Sequence, residues 1–253
     1  MKSILKVKRI KVLFCLSALA LLVAIIPTYK ETLRYVEKLS SSDFLVIDPG
    51  HGGFDGGAQS SEGIPEKDIN LQIAKEIKAL AISDGWNVVM TRETDISLSE
   101  DQGTIRHRKT QDLLNRKQII TDVAPQLAIS IHLNSFKEDV SVRGAQVFYP
   151  KECKDELLSK QCQALAEAIQ TNLTKGLDDG TNRSVLKKEG VLILKNTSCP
   201  IVLVECGFLS NPAEAELLTD VEYQRKLAKY IYQGILDFTG KTPTPKLEII
   251  KSN

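Results

Sequence analysis

The sequence predicts an α/β fold, a single domain in which helices cover a β-sheet. Short apolar runs typical of buried strands alternate with stretches whose apolar residues recur at i, i+3, i+4 and i+7, the spacing of one helix face. The 253-residue chain is long enough to build one large core. Its 42% hydrophobic and 26% charged residues exclude the disordered class, and a net charge of +1 gives no indication of nucleic-acid binding.

Six apolar runs are predicted as strands, and four amphipathic stretches as helices. The strands are predicted at Phe44–Asp48, Asn87–Thr91, Leu127–Ile131, Ala145–Tyr149, Val191–Leu194 and Ile201–Glu205. The helices are predicted from the apolar positions between Ile69 and Leu80, Leu113 and Ile120, Leu157 and Leu173, and Leu227 and Phe238. Strands that alternate with helices in this way are typical of a layered α/β sheet.

The N-terminal segment has the layout of an export signal. Five cations within residues 2–11 precede the uncharged apolar run Val12–Ile26. About 15 apolar residues in a helix span roughly 22 Å, which is short of the ~30 Å hydrocarbon core of a membrane. We therefore expect an exported protein, either secreted after cleavage or membrane-anchored. The expected divisions are a signal or anchor at 1–27, a polar stalk at 28–42, a catalytic domain at 43–240 and a tail at 241–253.

Two of the three histidines stand where predicted strands end. His51 follows the first strand in the sequence DPGHGG, and His132 follows the run Leu127–Ile131. Open α/β sheets bind their ligands at the carboxyl ends of strands, so two imidazoles at such ends indicate a metal site. The third, His107, lies among cations in the sequence RHRK, where a solvated side chain is favoured over a metal ligand.

Two glutamates are candidates for the same site. Glu66 stands at the start of a predicted helix, where the helix dipole stabilises a carboxylate. Its two interpretations, a first-turn residue and a third metal ligand, both stay open. Glu205 ends the continuous apolar run Ile201–Val204, and an ionised carboxylate at the edge of a core is costly unless it is paired. This position favours a functional role over a carboxylate bonded to turn backbone.

These four residues together predict metal-assisted amide hydrolysis. Two histidines and one glutamate leave the fourth position of a zinc ion open, as in catalytic zinc sites. Zinc lowers the pKa of bound water from about 15.7 towards 7. A second glutamate, here Glu205, can then carry a proton to a leaving amine. The chain has no HExxH pair, which excludes the helix-borne zinc protease arrangement.

Five blocks of the sequence resemble the zinc-dependent N-acetylmuramoyl-L-alanine amidases. The blocks are Ile47–Gly53, Glu66–Leu71, Thr91–Arg92, Ser130–Asn134 and Val204–Asn211. They occur in the family's order, and the match runs from about Phe44 to Phe238. Within the family, the chain is similar to the germination-specific, sporulation-associated amidases, notably at Gln111–Leu113 and Gly144–Tyr149.

The resemblance implies a mixed, mostly parallel sheet of about six strands with helices on both faces. It implies Zn²⁺ held by His51, Glu66 and His132, with Glu205 as the catalytic carboxylate. The implied reaction cleaves the amide between the lactyl group of N-acetylmuramic acid and L-alanine of the stem peptide. In the spore branch, this step precedes formation of muramic-δ-lactam in the cortex that germination requires. The protein would face the cortex outside the inner membrane, with its N-terminal segment contacting the membrane.

Several points around the site stay open. One is whether an activating partner protein is needed, as the resemblance to the spore branch suggests. Asn134 and the backbone of Gly52–Gly53 are expected to position either the substrate or the groups that support the metal ligands. The charged stretch Ile96–Lys109 is expected to form a loop beside the substrate groove. Cys153 and Cys162 are near enough in sequence to pair in an oxidising compartment.

Two alternative functions are also consistent with the sequence. One is a module of the same fold that binds peptidoglycan or a partner without catalysis. The other is a zinc carboxypeptidase acting on the ends of stem peptides.

Overall fold

Six strands form one sheet in the computed structural model, which describes residues 43–243. Four of the five neighbouring strand pairs are parallel, so the predicted mixed, mostly parallel α/β sheet is confirmed. The order across the sheet is β2-β1-β3-β6-β4-β5. The pair of β4 with β6 is the antiparallel one among these five pairs. The strands are β1 (Phe44–Pro49), β2 (Asn87–Met90), β3 (Leu127–Asn134), β4 (Gln146–Pro150), β5 (Leu186–Lys188) and β6 (Ile201–Phe208).

Five helices accompany the sheet within the described residues, and the four predicted helices are among them. The helices are α1 (Glu66–Ser83), α2 (Ile105–Val123), α3 (Glu156–Leu177), α4 (Pro212–Thr219) and α5 (Val221–Thr239). Helix α5 packs against both α1 and α3, while α2 contacts β1 and the turn that precedes β6. Every residue of β6 is buried, because both faces of the sheet are covered.

Helix α4 was not predicted, although its start carries a recognisable signal. Asn211 caps the helix by accepting a hydrogen bond from the Glu214 backbone N–H at 2.9 Å, and Pro212 occupies the first helical position. With eight residues, the helix is too short for the apolar periodicity to stand out.

The prediction of a strand at Val191–Leu194 is wrong. Leu192–Leu194 form a 3₁₀ turn, and the sixth strand is β5, which pairs in parallel with β4 at the sheet edge. Gly190, at φ +82°, separates the two segments. A run of four apolar residues does not distinguish a strand from a buried turn. The true strand escaped detection because Leu186 and Lys187 are exposed at the edge.

The parallel strands β1, β3 and β6 end at one edge of the sheet, and this edge carries the candidate site. The Gly50 N–H just beyond β1 bonds to the Ile131 carbonyl at 2.9 Å. His132 on β3 pairs with Glu205 on β6 in the strand register. The predicted histidines and the predicted catalytic carboxylate therefore meet at the same level.

The predicted signal or anchor (1–27), the stalk (28–42) and most of the tail (241–253) lie outside the described residues. These divisions and the domain bounds 43–240 stay predictions. No helix between residues 43 and 243 is both long and apolar enough to cross a membrane.

Cys153 and Cys162 are close but not bonded. Their sulfur atoms lie 3.9 Å apart, and both are free thiols. Burial raises the pKa of the Cys162 thiol to about 12, so at neutral pH it stays in the unreactive protonated form. The pairing that the sequence left open is absent from this structure.

Candidate active site

Glu66 lies between the two strand-end histidines. Its Oε2 is 3.3 Å from His51 Nε2, and its Oε1 is 3.1 Å from His132 Nδ1. The three side chains can each offer one ligand atom such that all the atoms lie within 4.8 Å of one another. Of the two interpretations left open for Glu66, the structure therefore favours the one that places it with the histidines.

Glu66 is a buried carboxylate with partners on both oxygens. Oε1 accepts hydrogen bonds from the Leu133 N–H at 2.9 Å and the Asn70 amide at 3.1 Å, and Oε2 accepts one from the Ala58 N–H at 2.9 Å. Burial raises its pKa, but the hydrogen bonds and charges of the two histidines outweigh burial and hold the pKa far below its usual range. Glu66 is thus ionised and fixed in place, as a metal ligand must be.

His51 stands in a sharp turn that follows β1. Its backbone has φ 60°, in the left-handed region that non-glycine residues rarely adopt. The preceding residue must be glycine, because a Cβ atom at Gly50 would come within 2.2 Å of the His132 ring. The close approach of the turn to β3 is therefore what brings the two imidazoles together.

Two buried arginines hold this turn through its carbonyl groups. Arg116 of α2 donates to the carbonyls of Pro49 at 2.7 Å and His51 at 2.5 Å. Arg92 donates to the carbonyls of Pro49 at 3.0 Å and Gly50 at 2.9 Å. Only 1% of Arg116 and 2% of Arg92 is exposed. Together they fix the backbone from which His51 projects.

Asp48 compensates the buried charge of Arg116. Its Oδ1 accepts from Arg116 at 2.9 Å and from the Thr91 hydroxyl at 2.6 Å, and its Oδ2 accepts from the Ser130 hydroxyl at 2.6 Å. Burial raises the pKa of Asp48, yet the adjacent guanidinium and the two hydroxyls lower it below its usual value. The pair stays ionised in the core, so it can brace the turn.

Asp55 and Lys109 form a second layer behind His51. Asp55 Oδ2 lies 3.0 Å from His51 Nδ1, and its Oδ1 lies 2.8 Å from the Lys109 ammonium. Burial lowers the pKa of His51, but the bonds with Asp55 and Glu66 raise it to about 9. A carboxylate on the far nitrogen orients a metal-binding histidine and leaves the other nitrogen for the metal. Sequence reasoning missed both residues, although Asp55 stands in the glycine-rich stretch that follows His51.

The stretch Ile96–Lys109 is only partly the predicted loop. Residues 96–104 are irregular, but α2 begins at Ile105, after Thr104 accepts a hydrogen bond from the His107 N–H at 3.2 Å. Lys109 therefore sits on a helix when it reaches the site. His107 is exposed and takes no part in the cluster, as predicted.

Glu205 faces the same cavity as the two histidines. The cavity has a volume of about 420 Å³, and Lys109 and Lys188 also line it. Glu205 Oε1 accepts a hydrogen bond from the Lys188 ammonium at 2.9 Å. Its Oε2 is buried and has no partner among residues 43–243. One oxygen of this carboxylate therefore makes no competing hydrogen bond within the described residues, and nothing in the sequence pattern marked Lys188 as the partner of the other oxygen.

The groups expected to position substrate are used inside the protein. Asn134 Oδ1 accepts from the Ser135 N–H at 2.8 Å. The Gly52 N–H bonds to the Asp55 carbonyl at 2.9 Å, and the Gly53 N–H bonds to Asp95 Oδ1 at 2.8 Å. None of Asn134, Gly52 and Gly53 lines the cavity. The geometry does not support a contact with substrate, whereas the Gly52 bond to Asp55 agrees with the alternative that this backbone positions a group that supports His51.

Comparison with known proteins places the chain in a family. Residues 45–237 match the family model Amidase_3, described as N-acetylmuramoyl-L-alanine amidase. The chain is 37% identical over 209 residues to the germination-specific N-acetylmuramoyl-L-alanine amidase of Bacillus subtilis (strain 168), covering 81% of this chain and 84% of that protein. It is 31% identical to the "Probable cell wall amidase LytH" of Staphylococcus saprophyticus, covering 76% of this chain but only 56% of that protein.

Comparison with solved structures also finds an amidase. The structure of the CwlD amidase from Clostridioides difficile, in complex with the GerS lipoprotein, is similar with a TM-score of 0.73 and 40% sequence identity. The similarity covers 78% of this chain and 98% of the solved one. The family match extends over almost all of the described residues, and the resemblance seen in the sequence is confirmed. The chain belongs to the N-acetylmuramoyl-L-alanine amidase family.

Proposed function

We propose that this protein is a zinc-dependent hydrolase of peptidoglycan. It cleaves the amide between the lactyl group of N-acetylmuramic acid and L-alanine of the stem peptide. The observation that carries this function is the single cavity lined by both histidines of the His51–Glu66–His132 cluster and by Glu205, whose carboxylate has a partner on only one oxygen among the described residues. Family membership supports the same reaction.

The three clustered side chains fit zinc. Two imidazole nitrogens and one carboxylate oxygen are a known ligand set of catalytic zinc, which keeps a further position open. Glu66 is ionised, and Asp55 leaves His51 Nε2 directed at Glu66, where the ligand atoms converge. When bound, zinc would supply Lewis-acid polarisation of the scissile carbonyl and make water nucleophilic at neutral pH.

Glu205 moves the proton in the proposed mechanism. Its free Oε2 takes a proton from the attacking water and later delivers it to the alanine nitrogen as the amide bond breaks. Lys188 donates to the other oxygen and holds the carboxylate towards the cavity.

Digestion of purified muropeptides tests the reaction against its rivals. The amidase leaves intact glycan and creates new L-alanine amino termini, measured by end-group labelling and mass spectrometry. Free terminal D-alanine would instead identify the carboxypeptidase, and unchanged muropeptides would identify the non-catalytic module.

The biological setting proposed is the spore cortex. A relative named germination-specific supports this setting, as does the similarity to the spore branch. Removal of the peptide frees the muramic lactyl group, which lactam formation requires. A strain lacking the protein is expected to form spores without muramic-δ-lactam that fail to germinate, measured by cortex muropeptide analysis.

Export and a partner complete the proposal. The basic and apolar start of the sequence supports export with a membrane contact, which fractionation of tagged full-length protein tests. A solved relative forms a complex with a lipoprotein, so a similar activating partner is proposed here. Metal content and activity measured with and without such a lipoprotein would show whether the partner is needed.

A further inference from the structure

A second cavity adjoins the active-site cavity at Lys188. Its volume is about 370 Å³, and it shares Lys188, Gly190 and Val191 with the active-site cavity. We call it the lysine cavity; it is lined by Pro150–Glu152, Lys188–Val191 and Leu194–Asn196. The two cavities are therefore neighbours, and Lys188 lines both.

The lysine cavity contains a cation without a partner. Three lysines and two glutamates line it, which gives a net positive charge. Lys188 is paired with Glu205 at 2.9 Å, and Lys151 is paired with Glu189 at 2.6 Å. The ammonium of Lys195 makes no ion pair or hydrogen bond with any residue from 43 to 243. Lys195 is exposed and is thus the cation of this cavity left for a ligand, while Glu152, also exposed, is the lining carboxylate without an ion pair among the same residues.

The backbone holds Lys195 at the cavity wall. It directly follows the 3₁₀ turn, and its N–H bonds to the Leu192 carbonyl at 3.1 Å. The next residue, Asn196, has φ 50° and turns the chain away. Leu194, just before it, is 2% exposed and anchors the segment in the core.

The direction of the proposed reaction decides which part of the substrate enters. Glu205 must reach the alanine nitrogen to protonate it, so the peptide half lies beside Glu205. Consecutive residues are about 3.8 Å apart, so the second residue of the stem peptide lies next to the alanine, and the lysine cavity is a space that adjoins Lys188, the partner of Glu205. In stem peptides this residue is a D-glutamate linked through its side chain, which leaves its α-carboxylate free.

We infer that the lysine cavity binds the peptide half of the substrate and that Lys195 binds the α-carboxylate of its second residue. This inference rests on the proposed function and adds a specificity to it. The enzyme prefers stem peptides whose second residue carries a carboxylate over those in which it is amidated. Charge-assisted hydrogen bonds are about twice as strong as neutral ones, which is the physical basis of the preference.

Two matched muramyl peptides test the inference, one with D-glutamate and one with D-isoglutamine at the second position. The wild-type protein is expected to cleave the acidic peptide with a kcat/KM about tenfold higher. In Lys195→Met the ratio is expected to fall to about one, because the ammonium is gone, while Lys195→Arg is expected to restore most of it. The control is Lys187→Met, an exposed lysine of β5 that lines neither cavity and should keep the wild-type ratio.

Product binding gives a readout independent of turnover. L-Ala-D-Glu is expected to bind the wild-type protein about tenfold more tightly than its amidated form, and Lys195→Met is expected to remove this difference. Equal cleavage of both substrates by the wild type, or an unchanged ratio in Lys195→Met, would overturn the inference. Failure of the proposed function looks different, since neither peptide would then yield L-alanine amino termini.

Discussion

The two sides of the active-site cavity are built differently. On the metal-ligand side, both oxygens of Glu66 have several donors, and two buried arginines hold the turn that carries His51. On the other side, Glu205 has one partner, Lys188, and an oxygen with none among the described residues. The groups proposed to hold the metal are fixed by many contacts, whereas the carboxylate proposed to exchange a proton has an oxygen without a partner among residues 43–243.

Removing a proposed metal ligand should have the largest effect on activity, because the proposed chemistry depends on the bound metal. His132→Ala is expected to lose stable zinc binding and all measurable amidase activity, since two ligands remain from three. Metal analysis after dialysis and a muropeptide digest measure both. A variant that keeps one zinc per chain would remove His132 from the ligand set.

Glu205→Gln should distinguish metal binding from proton transfer. The variant is expected to keep zinc but to lose about 10² to 10⁴-fold in kcat, the usual contribution of general acid–base catalysis. Glu216→Gln, at an exposed position on α4, is the matched control and should retain full rate. If Glu205→Gln lost its metal instead, the carboxylate would belong to the ligand side.

The buried support of the ligand side is tested through stability. Arg116→Met leaves Asp48 without its charge partner in the core, and it is expected to lower the free energy of unfolding by about 3–5 kcal/mol. Urea unfolding of the metal-free protein measures this cost without a contribution from zinc. An effect below about 1 kcal/mol, the usual value of an exposed pair, would show that the Arg116–Asp48 pair contributes little.

Asp55→Asn should give the mildest effect. The amide still fills the space but no longer supplies the negative charge behind His51, so zinc affinity is expected to fall about 10- to 100-fold. Competition with a chromophoric chelator measures the affinity. Asp101→Asn, at an exposed carboxylate, is the control. Wild-type affinity in Asp55→Asn would show that His51 is oriented by the backbone alone.

The sequence was sufficient to predict the site residues that stand at strand ends. It was not sufficient for the site residues that other segments of the chain contribute. His51, His132 and Glu205 follow or end apolar runs, so each could be placed at the sheet edge from its own surroundings. Asp55 and Lys188 could not, because their roles depend on distances to residues in other segments.

The fold shows the same division. The strands of the sheet centre are apolar runs, and periodicity found them. The edge strand β5 is exposed, while the apolar run Val191–Leu194 is a turn packed beneath α2. Arg92 and Arg116 read as ordinary charged residues in the sequence, since only the packed structure reveals that both are buried.

The left-handed backbone conformation of His51 lowers the stability of the fold, although the proposed activity needs the side chain at this position. A side chain there costs about 1–2 kcal/mol that glycine does not pay. His51→Gly should therefore unfold at a higher denaturant concentration than His51→Ala, although both lack the ligand. Among variants of position 51 that lack the imidazole, glycine would therefore resist heat best, so a search for stability at this position would end on a residue that cannot bind a metal.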